Sequence, residues 1–97
     1  MAEIIWTEPA LQSLDEIADY ISLDDVKAAQ NLVKKVFSKV DLLERQPSLG
    51  KKIPELDTSI YREIIVLPCR IFYRVEEEKL FIISLQRQEQ LFRNHFF

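Results

Sequence analysis

The chain of 97 residues is long enough for one domain and too short for two. Its hydrophobic fraction of 47% and charged fraction of 30% are those of a soluble globular protein, and one glycine with four prolines leaves no room for a flexible linker, a low-complexity tail or a glycine-rich phosphate loop. The net charge of −3 weighs against strong non-specific nucleic-acid binding, the lone Cys69 excludes an internal disulfide, and nowhere do about 18 apolar residues run together as a membrane span would.

The opening Met1-Ala2-Glu3-Ile4-Ile5-Trp6 has no basic stretch before an apolar one, so it does not read as a signal peptide, and a cytoplasmic protein is expected. Charge is uneven along the chain. Residues 1–50 hold five Lys/Arg against nine Asp/Glu (−4), and residues 51–97 hold eight against seven (+1). A local basic surface in the second half therefore stays open.

Glu3 to Trp6 is a short β-prone run and reads as a first strand. Thr7 is placed to cap a helix, with Pro9 in its first turn, where a missing N–H costs nothing. Leu11, Leu14, Ile17, Ala18 and Ile21 then recur at helical spacing, with Gln12, Asp15, Glu16 and Asp19 on the other side. Ser22-Leu23-Asp24-Asp25 breaks the pattern, and Asp24 or Ser22 is expected to cap a second helix. Its apolar stripe is Ala29, Leu32, Val33, Val36, Phe37, Val40 and Leu43, with Lys27, Lys34, Lys35 and Lys39 mostly outside. Pro47 requires it to end near Arg45.

Pro47 to Ser59 reads as a loop containing Gly50 and the pair Lys51-Lys52. The apolar period then changes from 3.6 to 2: Tyr61–Leu67, Cys69–Val75 and Leu80–Leu85 read as three strands, with Glu76-Glu77-Glu78-Lys79 as a hairpin turn. Along the middle strand Ile71, Tyr73 and Val75 share one face, and Arg70, Phe72 and Arg74 the other. The predicted architecture is an α+β domain over residues 1–97 with the order β-α-α-β-β-β. An antiparallel helix hairpin covers one face of a four-stranded sheet, and the other face is left without a covering element. The tail, Gln86 to Phe97, reads as a short C-terminal helix packing its aromatics onto the sheet, or as a segment that docks on a partner.

Several stretches resemble the ParE/RelE superfamily of toxins from type II toxin–antitoxin systems. They are Ile5-Trp6-Thr7, the helix with Leu14-Asp15-Glu16-Ile17-Ala18-Asp19-Tyr20-Ile21, Pro47-x-x-Gly50, Tyr61-Arg62-Glu63-Ile64, and above all Cys69-Arg70-Ile71-Phe72-Tyr73-Arg74-Val75. The resemblance runs over nearly the whole chain in order and in spacing. It implies a growth-arresting toxin neutralised by a cognate antitoxin, of the kind that serves plasmid stabilization. RelE-like members cleave mRNA on the ribosome; ParE-like members inhibit DNA gyrase and carry no known catalytic chemistry.

Metal-free RNA cleavage needs a base for the 2′-hydroxyl, an acid for the leaving oxygen and cations for the phosphorane. Arg62, Arg70, Arg74 and Arg87 are candidates for a phosphate clamp, with Lys51 and Lys52 adding positive field. Against this, Ile64-Ile65-Val66-Leu67 is wholly apolar where the resemblance implies that a RelE-like nuclease carries an arginine, and no tyrosine of the kind such nucleases commonly carry near the C-terminus follows Arg87. His95 is the only histidine, set in an aromatic tail where packing is its ordinary role. One Cys and one His far apart give no nucleophilic pair, no Cys/His cluster suggests a metal, and no cofactor is expected. Strand arginines also have an ordinary role, pairing with Glu63 or with the Glu76–Glu78 turn, and Tyr61 and Tyr73 an ordinary one as core or sheet-face aromatics.

The sequence thus favours a ParE-like toxin acting on DNA gyrase by binding. The expected contact surface is Arg62, Arg70, Arg74, Arg87 and Arg93 with Phe92, Phe96 and Phe97 as apolar anchors, the residue types that dominate binding hot spots. The alternative is a ribosome-dependent mRNA endonuclease using Arg62, Arg87 and His95.

Overall fold

A computed structural model describes residues 1–56 and 60–92. Strand β1 (Glu3–Trp6) passes into helix α1 (Glu8–Ser22) through Thr7. The Thr7 hydroxyl accepts from the backbone N–H of Ala10 at 3.3 Å and donates to the carbonyl of Ile82 at 2.6 Å. One oxygen therefore caps the helix and ties its start to the sheet, and such a cap is worth about 1 kcal/mol. Helix α2 (Val26–Asp41) is capped by Asp25, which accepts from Ala28 N–H at 3.0 Å, and not by Asp24 or Ser22. Ser22 is still the last residue of α1, its hydroxyl turned back onto Asp19 O, and the Asp24 N–H bonds Ile21 O. Asp25 has the extended backbone that an N-cap requires, whereas Leu23, directly after α1, is still helical.

The helices bury Ala10, Leu14 and Ile17 from α1, and Ala29, Leu32, Val36 and Val40 from α2. The stripe continues to Leu43 in a 3-10 turn (Leu42–Glu44), short of Pro47. Leu11 and Phe37, both assigned to the apolar stripes, are substantially exposed, and Phe37 lies against the Trp6 ring at 4.8 Å.

The sheet has five strands in the order β1-β5-β4-β3-β2, with β1 parallel to β5 and the other pairs antiparallel. They are β2 (Lys51–Lys52), β3 (Tyr61–Val66), β4 (Cys69–Glu76) and β5 (Lys79–Arg87). The fifth strand is β2, inside the stretch read from sequence as loop. Two residues have no periodicity, and its pairing with Glu63 and Arg62 is imposed from outside. The Tyr73 hydroxyl imposes it by accepting from Gly50 N–H and donating to Pro47 O, both at 2.8 Å, while Arg62 Nη1 donates to Gly50 O at 2.8 Å. A Cβ on Gly50 would fall 2.5 Å from the Tyr73 hydroxyl and 2.6 Å from Glu63 O, so glycine is required here for close approach.

Ile64, Val66, Cys69, Ile71, Tyr73, Leu80, Ile82 and Leu85 face the helices and join them in one core. The change from even to odd positions on β5 is made by a bulge. Phe72 pairs with Ser84 but Tyr73 pairs with Ile82, so Ile83 is the extra residue and side chains beyond it swap faces. Without that swap Leu85 would point outward.

Two substitutions test the Tyr73 tether by chemical denaturation. Tyr73→Phe leaves the Gly50 N–H without its partner and is expected to cost about 1–3 kcal/mol. Gly50→Ala forces buried backbone to shift and is expected to cost about as much or more. A loss under about 0.5 kcal/mol for both, the range of an ordinary surface change, would show that the loop holds without the phenol.

Candidate functional site

The cross-strand register separates the four described candidate arginines onto two faces. Arg62 stands opposite Tyr73, and Arg87 opposite Cys69, both on the helix side. Arg70 stands opposite Ile65 and Gln86, and Arg74 opposite Tyr61 and Phe81, on the outer side. No single cleft gathers all four. Arg93, His95, Phe96 and Phe97 lie outside the described residues.

On the outer face Arg70 makes the densest set of contacts. Its Nε and Nη2 donate to Glu63 at 3.2 and 2.7 Å, and its Nη1 and Nη2 donate to the two Glu55 oxygens at 2.9 and 2.8 Å. The guanidinium also lies 4.9 Å from the Phe72 ring centre and 5.5 Å from that of Phe92. Two forked carboxylates around one planar cation hold its charge in place and raise the Arg70 pKa still further, through the hydrogen bonds it donates to Glu55 and then to Glu63. The triad carries a net charge of −1. Arg74 donates to Glu76 at 3.0 Å and covers the Phe81 ring at 4.6 Å.

Sequence reading gave this face no covering element beyond the aromatics of the tail, and the described end of the tail does pack on it. Phe92 meets Phe72 edge-on at 5.6 Å, and Glu63 (3% exposed), Phe72, Ser84 and Gln86 are all buried. The Ser84 hydroxyl and both polar atoms of the Gln86 amide have no hydrogen-bond partner among the described residues. The described part of the tail is a turn and not a helix: Gln88 N–H bonds Pro68 O, Gln90 N–H bonds Arg87 O, and the Gln90 side chain accepts from Arg87 N–H at 2.8 Å.

At the helix side Arg87 stacks on Tyr20 of α1 at 3.9 Å and pairs with Glu89 at 2.9 Å. Near it, the Ser13 hydroxyl accepts from Leu85 N–H at 3.0 Å and donates to Ala10 O at 3.0 Å, fixing α1 on β5. Cys69, fully buried, has its thiol pKa pushed up to about 11, first by burial and then by Glu89. It is protonated at neutral pH and is no nucleophile.

Sequence reading missed Glu55, Ser13, Ser84 and Gln86. Glu55 reaches Arg70 across 15 positions from a loop without periodicity, and a serine inside a helix gives no sign of which strand it will meet. Arg70 with Glu63 and Arg74 with Glu76 are the pairings that alternation along the strands does suggest.

Two outcomes follow from this electrostatics. The Arg70 hydrogen bonds hold the Glu55 carboxyl below its ordinary value of 4.5. Its contribution to stability is complete above that value and is lost as the pH falls through the lowered one. Glu55→Gln should therefore flatten the fall in melting temperature between about pH 5 and pH 3. A variant with an unchanged acid limb would show that the pair contributes nothing. For Cys69, the native chain should resist iodoacetamide at pH 8 and the denatured chain react readily; equal rates would contradict the burial.

The chain was compared with known proteins. The family model described as ParE toxin of type II toxin–antitoxin system, parDE, matches residues 4–92. Toxin RelE2 of Caulobacter vibrioides is 30% identical over 92 residues, covering 94% of this chain and all of that one. A Sinorhizobium fredii protein named as a toxin, Y4kP, is 33% identical over 89 residues, covering 90% of each. Among solved structures, a chain of the chromosomal ParDE toxin–antitoxin system from P. aeruginosa superposes with a TM-score of 0.74 at 23% identity, covering 90% of this chain and 96% of that one.

Proposed function

The chain belongs to the ParE toxin family of type II toxin–antitoxin systems, and on that premise we propose that it inhibits DNA gyrase by binding and is neutralised by a cognate antitoxin. The observation that carries this reading is the state of its arginines. Arg62 is spent on Gly50 O, Arg70 on Glu55 and Glu63, Arg74 on Glu76 and Phe81, and Arg87 on Glu89 and Tyr20. Cations each engaged by a protein acceptor and divided between two faces make a poor clamp for a phosphorane, which needs them convergent and unpaired. They make a good rigid contact surface, because an arginine already held flat against an aromatic ring loses little freedom on binding.

The contact surface we assign to the target is the outer face around Arg70, Arg74 and Phe92; Arg93, Phe96 and Phe97, outside the described residues, are proposed as further contacts. Arg87 and Arg62 border it from the ends of β5 and β3. The antitoxin would lay a segment along the helix hairpin and the sheet, in the manner of a peptide that folds as it binds. Cytoplasmic action follows from the location of gyrase.

The alternative, cleavage of mRNA on the ribosome through Arg62, Arg87 and His95, draws on the name of the Caulobacter relative, Toxin RelE2. One experiment separates the two. Pulse labelling after induction of this chain alone should show DNA synthesis failing first, with filamentation. Purified chain should inhibit supercoiling by gyrase and leave ribosome-bound mRNA intact. Arg74→Glu should weaken that inhibition at least about tenfold while changing stability by no more than about 2 kcal/mol, since it breaks one ion pair at the surface and one cation–π contact with Phe81. Protein synthesis failing first, with cleaved mRNA, would replace gyrase with the ribosome.

A further inference from the structure

The cations left free in this protein are not the arginines of the sheet. Residues 26–52, from the start of α2 to the end of β2, hold six lysines and Arg45 against Asp41 and Glu44, a balance of +5 in a chain of net charge −3. Residues 1–25 hold seven acidic residues and no lysine or arginine, a balance of −7. The fold sets these segments apart: α1 packs on β5 beside the β1 edge, whereas α2 packs on β3 beside the β2 edge. One flank of the molecule is acidic and the opposite flank basic. Among the described residues no ion pair engages the cations of α2 or β2, while Arg70, Arg74 and Arg87 are each paired. At 3.6 residues per turn Lys27, Asn31, Lys34, Lys35, Ser38 and Lys39 share an arc of about 140°, away from the buried Ala29, Val36 and Val40. Lys35 lines a recess of about 420 Å³ with Asn31 and Leu67, and Lys39 lines the next along α2, of about 350 Å³, with Lys51 and Gly50. Glu63 also borders the second recess, but its carboxylate is engaged by Arg70.

We propose that the α2–β2 flank is a surface for the phosphate backbone of duplex DNA, with Lys27, Lys34, Lys35, Lys39, Lys51 and Lys52 as its contacts. The proposal rests on the gyrase reading for the source of the DNA, since an enzyme that works on a duplex brings phosphates to whatever binds it. The charge calls for a polyanion. Unpaired lysines on flexible stems gain by replacing the counterions that phosphates hold, whereas an arginine already engaged by a carboxylate does not. The length suits a duplex: Lys27 to Lys39 spans about 18 Å of helix, roughly five base-pair steps along the backbone. Asn31 and Ser38 add neutral donors between the lysines. The arc carries no aromatic side chain on which the bases of a single strand could stack, and no apolar one to enter a bilayer. The net charge of −3 keeps affinity for free DNA low, so the flank serves a chain that its protein target has already brought to DNA.

The discriminating experiment is fluorescence anisotropy of a labelled DNA duplex of about 20 base pairs, titrated with the full chain at about 50 mM salt, with duplex RNA and poly-glutamate of equal charge as competitors. The duplex is expected to bind with a Kd on the order of 10 μM, and log K to fall against log salt with a slope of about −5 for six phosphate contacts. Lys35→Gln/Lys39→Gln, which keeps helix propensity, should weaken binding at least about tenfold and reduce that slope by about 2. Lys34→Gln/Lys51→Gln, at two exposed positions, should do the same. Lys79→Glu, beside Glu3 on the β1 side of the sheet, makes the same change in net charge and should alter affinity less than about twofold. Absence of duplex binding, or equal weakening by Lys79→Glu, would overturn the proposal. So would RNA or poly-glutamate bound at least about tenfold more tightly than DNA, since the flank would then belong to that partner. With gyrase, the Lys35→Gln/Lys39→Gln chain should bind the DNA-free enzyme like the unmodified chain and inhibit supercoiling at least about fivefold more weakly; undiminished inhibition would count against the DNA contact. An unmodified chain that leaves gyrase untouched would remove the gyrase reading, while the duplex titration still decides what the flank accepts.

Discussion

The β3 side of the sheet depends on one buried phenol. The Tyr73 hydroxyl both donates and accepts, and both of its partners are backbone groups of the segment between Pro47 and Gly50. Burial raises the Tyr73 pKa, so the group stays a phenol and keeps its proton for Pro47 O. With Gly50 held there, Lys51 and Lys52 have no choice but to run alongside Glu63 and Arg62, and β3 gains a covered edge. The following loop then delivers Glu55 to Arg70 on the opposite face. A contact made on the helix side thus sets the electrostatics of the outer side.

That relay changes what Arg70 can do. A lone arginine on an open sheet face would be a phosphate-binding group; one gripped by two carboxylates is part of the scaffold. Glu63 is buried and depends on Arg70 for its compensation, so losing the arginine would leave an unpaired buried charge, a change that typically costs about 3–5 kcal/mol. The same grip holds Arg70 between the Phe72 and Phe92 rings, which places the described end of the tail on the sheet. Rigidity and low free charge belong together here. They suit a surface that recognises a protein more than one that stabilises a transition state.

Much of this was legible in the sequence, and the reasons are local. Helices with a 3.6 period, a threonine before Glu8-Pro9 and strands with a period of 2 are written within a few residues of where they act. The face assignment of Ile71, Tyr73 and Val75 against Arg70, Phe72 and Arg74 follows from alternation alone. What was illegible is what depends on distant partners. The four-arginine clamp dissolved because alternation was not carried through the pairing of β3 with β4, which puts Arg62 behind the sheet when Arg70 is in front. Asp25 outcompeted Asp24 and Ser22 for the α2 cap because Ser22 still belongs to α1 and the Asp24 N–H still bonds back to Ile21 O. The bulge at Ile83 reads in sequence only as a lapse in alternation at Ile82-Ile83. The Pro47-x-x-Gly50 motif could be seen but not explained until Tyr73 was known to face it.

The net charge of −3 conceals a separation between layers. The acidic residues of the first 26 positions lie on β1, α1 and the hairpin tip, whereas every described arginine except Arg45 belongs to β3, β4 or β5. Two partners would then be served by opposite sides of a molecule only a few layers thick, and neither would compete for the other's residues. A neutralising chain that began on α1 would have to continue around an edge of the sheet to reach the outer face. The β2 edge offers two residues and the β1 edge four, so β1, next to the helices, is the shorter route and the better template for an added strand. Neutralisation would then be a matter of reach: a partner confined to the helix hairpin would hold the toxin, and only one with a continuing segment would silence it.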